Sequence, residues 1–188
     1  MKRMIITLAA GTFILFLWNA ISWMALPFHS KTLNTIPDNA LNIDLLKEYL
    51  PEDGVYHYPG FPKEDSPEAF KEIEKRIETG PRITLMVFKR GKTTLFSLSS
   101  FLGSIAINFV TVLLLYLLMQ LAQVQTTKSI LLMSLLVALI VGFASDMAQM
   151  NWYLFPLAYT LLNMIDHILP FILIGLFFSK YTFKLQTV

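Results

Sequence analysis

The chain has 188 residues, of which 55% are hydrophobic and only 15% charged, with a formal net charge of +2. Soluble domains carry about 25% charged residues, so this composition, with a mean hydropathy of +0.57, excludes a disordered chain and argues against an ordinary soluble enzyme. The small net charge leaves no footprint for nucleic acid, and the absence of cysteine removes disulfides, thiolate nucleophiles and Cys-ligated metal centres.

The first element is an apolar run over residues 4–25, preceded by Lys2 and Arg3. A membrane-spanning helix needs about 20 apolar residues, and this run has that length. A cleaved signal peptide would have a shorter apolar region and small residues before the cut. Here tryptophan stands in those places, at Trp18 and Trp23. The expectation is an uncleaved signal anchor, transmembrane helix 1.

Residues 27–93 follow as a polar segment too long for a plain loop. Asp38 is expected to cap a helix over Asn39–Leu50, with Leu41, Leu45, Leu46 and Tyr49 on one face and Pro51 as its stop. Val55–Tyr58 reads as a short strand between Gly54 and Pro59. Ser66-Pro67-Glu68 is a helix start, with a capping hydroxyl, proline in the first turn and an acid beside it. That helix runs to about Glu78 with Phe70, Ile73 and Ile77 on its apolar face, and Gly80 closes it. Ile83–Phe88 is a second strand, Lys89–Lys92 a turn, and Thr93–Leu98 a candidate third strand. So few strands and helices bury little surface alone. The segment is expected to lean on the membrane helices or on a partner.

Three more apolar runs follow: transmembrane helix 2 over 96–122, helix 3 over 129–147 and helix 4 over 152–178, with a tail over 179–188. The expected fold is an all-α transmembrane four-helix bundle with a small α+β extracytoplasmic insert between helices 1 and 2. The short turn Ala148–Asn151 makes helices 3 and 4 an antiparallel hairpin. Lys2, Arg3, Lys128, Lys180 and Lys184 flank the helices on one side, where no acid lies. By the positive-inside rule that side is cytoplasmic. Both termini then face the cytoplasm, and the insert faces outward, into the periplasm of a bacterium.

Polar groups inside the membrane are costly and mark sites or helix contacts. Helix 4 carries Tyr159, Asn163, Asp166 and His167 at i, i+4, i+7 and i+8, on one face, and helix 2 carries Asn108 near its middle. Counted from Trp152, Asp166 lies about 21 Å into the helix. These five residues are the candidate intramembrane polar site. They serve either as a proton or small-ligand site or as hydrogen-bonded helix contacts, with Asp166 paired or neutral and an Asn its expected partner. In helix 3, Ala138, Gly142 and Asp146 form a small-residue stripe suited to close contact with helix 4. Asp146 is expected to act as a cap or to pair with a basic residue of the insert. No catalytic set, cofactor motif or metal-ligand set is assembled. The histidines His29, His57 and His167 lack i+3 or i+4 spacing to one another. Trp23, Phe28, Trp152 and Tyr153 form an interface belt, with room for a quinone or lipid between them.

Three stretches together carry a resemblance: Trp18–Met24 leading to Leu26-Pro27-Phe28-His29; Asp53-Gly54-Val55-Tyr56 with Pro59; and Trp152–Pro156 with Tyr159-Thr160 and Ile165-Asp166. In these the chain resembles a group of small bacterial inner-membrane proteins with one anchor helix, a periplasmic insert and three further helices. The resemblance implies that topology and the bacterial inner membrane, and it implies no activity. The expected function is therefore non-enzymatic: an accessory or scaffold protein that presents the insert to another membrane or envelope component, with the lipid bilayer and a membrane or periplasmic protein as partners. The alternative is a membrane protein handling protons or a small ligand such as a lipid or quinone through the Asn/Asp/His cluster.

Overall fold

A computed structural model describes residues 2–40, 42–62, 64–94 and 96–182. The protein is mostly helical, with four helices long and apolar enough to cross a membrane: Lys2–Ala25, Leu98–Leu121, Thr127–Tyr153 and Leu157–Tyr181. It divides into two compact units, one of residues 1–34 and 96–188, the other of residues 35–95. Pro27–Asn34, assigned to the insert by hydropathy, thus belongs with the membrane-type helices.

In the first unit, α1 (Lys2–Ala20) runs into a π-helical turn, Ile21–Ala25. A short helix α2 (Phe28–Thr32) follows. Ser97 caps α5 (Leu98–Leu121), its Oγ accepting from the Ser100 N–H at 3.0 Å. A reciprocal cap by Thr126 and Ser129 opens α6 (Thr127–Val141), which passes into a second π-helical turn, Gly142–Met147, and then α7 (Ala148–Tyr153). The expected turn at Ala148–Asn151 is therefore helix. The chain reverses instead at Leu154, where φ is 60°, and α8 runs from Leu157 to Tyr181.

α1 packs on α5 and α8, and α6 packs along α8. The close approaches use small residues. A Cβ on Gly11 would lie 2.7 Å from Val112 Cγ1, and one on Gly142 would lie 3.1 Å from Met164. The Ala138–Gly142–Asp146 stripe does face α8, as its spacing implies. Between the helices Leu8, Val112, Met119, Ile130, Ile174 and Phe178 are buried. Burial of such side chains is worth about 1.5–3 kcal/mol each against water, but in lipid the gain comes from packing.

The second unit begins with a 3₁₀ turn, Asp38–Ala40, and α3 (Ile43–Tyr49). The cap of α3 is Asn42, whose side chain accepts from the Asp44 and Leu45 N–H groups, both at 3.1 Å. The helix expected from Asp38 is thus shorter and starts later, because Asn42 offers the better-placed acceptor; Leu41 lies outside the described residues. Strand β1 (Gly54–Tyr58) pairs antiparallel with β2 (Ile83–Phe88), in the register Val55↔Val87 and Tyr56↔Met86. Between them α4 (Pro67–Thr79) starts on Ser66 and ends on Gly80 at φ 60°, a conformation that favours glycine. Residues Thr93, Thr94, Phe96 and Ser97 form no strand, and Leu95 lies outside the described residues. The Arg90 guanidinium donates to the carbonyls of Lys47, Leu50 and Pro51 at 3.0, 3.4 and 2.9 Å. It thereby satisfies orphan carbonyls in the last turn of α3 and just beyond its end.

This unit has almost no interior. Among its described residues only Pro59 is buried. On β2 the side chains alternate: Thr84, Met86 and Phe88 are half-buried, while Ile83, Leu85 and Val87 stand exposed. Val55, opposite Val87, is exposed with them.

Candidate functional site

The polar residues of the first unit gather around α8. The site starts from Asp166, whose side chain is buried about nine-tenths. Counted along α8 from Leu157, Asp166 lies roughly 14 Å in at ~1.5 Å per residue. That is shallower than expected from Trp152, because the helix starts at Leu157.

Three donors converge on this carboxylate. Trp18 Nε1–H donates to Oδ1 at 3.2 Å and Ser22 Oγ–H to the same oxygen at 2.6 Å. His29 Nε2 lies 2.7 Å from Oδ2 and 3.2 Å from Ser22 Oγ. With the Ser22 Oγ–H donated to Asp166 Oδ1, the Nε2–H is the hydrogen that faces the carboxylate. His29 Nδ1 is then left buried with no hydrogen-bond partner. The Trp23 ring stacks on the imidazole, with centroids 3.7 Å apart and planes 13° from parallel.

Local structure explains the convergence. Trp18 and Ser22 are four residues apart and share a face of the first helix. The π-helical turn at Ile21–Ala25 closes with Leu26 N–H donating to Ile21 O at 3.0 Å. Pro27 then turns the chain so that α2 returns His29 to Asp166. Within α8, Pro170 has no N–H to give the Asp166 carbonyl, so the helix lacks one of its bonds at the residue that carries the site.

The other candidate residues do not join this cluster. His167 points to the opposite neighbour, its Nε2 lying 3.0 Å from Asp146 Oδ2. That is an ion-pair distance without the alignment of a hydrogen bond. Asp146 therefore faces an imidazole of α8, and the second π-helical turn holds it there. Asn108 accepts from Asn19 Nδ2 at a long 3.5 Å, and its own Nδ2 is buried and unpaired. Asn163 is half-buried and is not among the partners of Asp166. Tyr159 sits edge-on to Phe155 and lines an open pocket of about 240 Å³ with Thr32, Leu33, Asn34 and Pro156. The five residues expected to share one site thus do not meet: Asp166, His167, Asn108 and Tyr159 each have different neighbours, and the partners of Asp166 are Trp18, Ser22 and His29, of which His29 is the one that helical spacing does not reveal.

Two features limit the chemistry. An apolar groove of about 910 Å³ between α1 and α5, walled by residues such as Phe13, Phe16, Leu102 and Phe109, contains none of the candidate polar residues. Beyond Asp166 the buried positions of α8 are Pro170, Phe171, Ile174, Gly175, Phe178 and Ser179. This mostly apolar stretch gives no continuous polar path along the helix. Among the described residues no group of three His, Cys, Asp or Glu side chains is placed to hold a metal ion. No family model, curated protein or solved structure matches the chain.

Proposed function

We propose that this chain is a non-enzymatic accessory protein of the bacterial inner membrane, with four spans, both termini in the cytoplasm and a periplasmic insert that docks on another membrane or envelope protein. One observation carries the docking reading: the second unit leaves its apolar side chains outside. Val87 is 80% exposed and Phe61 83%, with Val55, Ile83 and Leu85 beside Val87 on the open sheet face. A two-stranded sheet is marginal in water without further cover, and an apolar face of this kind is a common mark of a protein interface. The topology is supported by the basic flanks at Lys2, Arg3, Lys128 and Lys180 and by the concentration of acidic residues between Lys31 and Lys92.

A photo-crosslinking residue at Val87 in the full-length protein, expressed in its own cell, tests the docking. A discrete adduct with one other membrane or envelope protein is expected from Val87, and none from the exposed Glu74 on α4. Absence of an adduct from Val87, or equal adducts from both positions, would contradict the reading.

A further inference from the structure

The imidazole of His29 occupies a cage built from other elements. Asp166 Oδ2 stands 2.7 Å from its Nε2, Ser22 Oγ 3.2 Å from the same atom, and the Trp23 ring stacks on it with centroids 3.7 Å apart. A carboxylate beside an indole face is the chemistry that recognises a compact organic cation. Part of the cage is held without His29. Trp18 Nε1–H and Ser22 Oγ–H already donate to Asp166 Oδ1, and both come from the first helix and its π-helical turn.

The occupant is attached lightly. Of the five residues of α2 only His29 is buried. Phe28 is half exposed, and Ser30 and Lys31 face outward. The fit of the occupant is also incomplete, because Nδ1 is buried and unpaired. Trp23 keeps half of its surface open, so the cage lies next to the exterior. No Lys or Arg lies on α8 before Lys180, and the Lys or Arg nearest the cage residues in sequence is Lys31.

We propose that Ser22, Trp23 and Asp166 form a binding site for a small organic cation of the ammonium, imidazolium or amidinium class, and that His29 fills it as an internal stand-in. A ligand competes with His29, so its apparent affinity is reduced by the fraction of molecules in which α2 has left the cage. Removing His29 abolishes that competition. The site stands independently of the docking role of the second unit.

The test uses the full-length His29→Gly protein in detergent, with imidazole hydrochloride as probe. The variant should melt below wild type. Imidazole should restore much of the loss in a saturable way, whereas thiazole, a ring of the same size with no N–H, should not. Adding Asp166→Asn to His29→Gly should remove the rescue. A second measurement keeps His29. The chain has no cysteine, so Lys31→Cys gives a single thiol whose maleimide labelling reports release of α2. Imidazolium should speed labelling several-fold, and sodium chloride at equal ionic strength should not. Rescue that is absent, or equal with thiazole, overturns the proposal. If His29→Gly does not fold, a labelling rate indifferent to imidazolium overturns it alone.

Discussion

Asp166 accepts three hydrogen bonds, from Trp18, Ser22 and His29, and the substitutions available there differ in what they leave unpaired. Asp166→Asn keeps an oxygen for Trp18 and Ser22 but turns an amide towards His29. Losing a charge-assisted bond costs about 1.5–3 kcal/mol. Asp166→Leu removes the acceptor shared by all three groups, leaving Ser22 and His29 only each other at 3.2 Å and the part-buried Trp18 N–H without its partner, a loss of about 3–5 kcal/mol by analogy with broken buried pairs. Melting in detergent should therefore rank wild type above Asp166→Asn and Asp166→Leu last. A variant with Leu as stable as wild type would show that the three contacts carry no weight. The importance of Asp166 is legible in the sequence, since an acid amid apolar residues must be accounted for. Its partners are only partly so. Trp18 and Ser22 are four apart and share a face, a signal open to periodicity analysis. His29 lies beyond Pro27, outside any apolar run, and its return to α8 depends on how α2 folds back. No spacing rule contains that.

At the scale of elements, the capping chemistry is the most legible part. Ser66, Pro67 and Gly80 bound α4 as their residue types dictate, and β2 occupies the expected span Ile83–Phe88. The π-helical turns are illegible, because they depend on how Asp146 and Ser22 meet α8. Two expectations follow at this scale. Gly11→Ala places a methyl 2.7 Å from Val112 Cγ1, and a β-branched side chain in a helix has little rotamer freedom to yield. Overpacking of this kind costs about 1–3 kcal/mol. Val112→Ala should relieve it, so the double variant in detergent should be more stable than the sum of the single losses. Strict additivity would place Gly11 away from Val112.

The second expectation concerns Asp53. The hydrogen bond with Lys89, and next that with the Arg90 N–H, hold its carboxyl below the ordinary 3.8. A depressed folded value means that the contact stabilises the unit above pH 3.8 and is lost as pH falls through the lower folded value. Arg90 also holds the end of α3, so the β2 and α3 amides should exchange faster with hydrogen as pH falls through that range, after correction for intrinsic rates. Asp53→Asn should flatten the difference. A pH response unchanged by Asp53→Asn would remove the carboxylate from this role.

On the scale of the molecule, each of the two units has its own source of order. The helical unit has a packed interior between α1, α5, α6 and α8, and hydropathy reveals its four long helices directly. The second unit has strands and caps but almost no buried side chain, so its composition reads as a domain while its surface reads as half of one. That difference is what points to a partner. The account then depends on where the units lie relative to the membrane. Single cysteines introduced at Glu74 and, separately, at Lys128 into this cysteine-free chain decide it, with a membrane-impermeant maleimide applied to spheroplasts. Labelling of the Glu74→Cys protein in intact spheroplasts, and of the Lys128→Cys protein only after the membrane is opened, is the predicted result. Labelling of Lys128→Cys in intact spheroplasts, with Glu74→Cys protected until lysis, would contradict the four-span topology and the periplasmic docking module built on it.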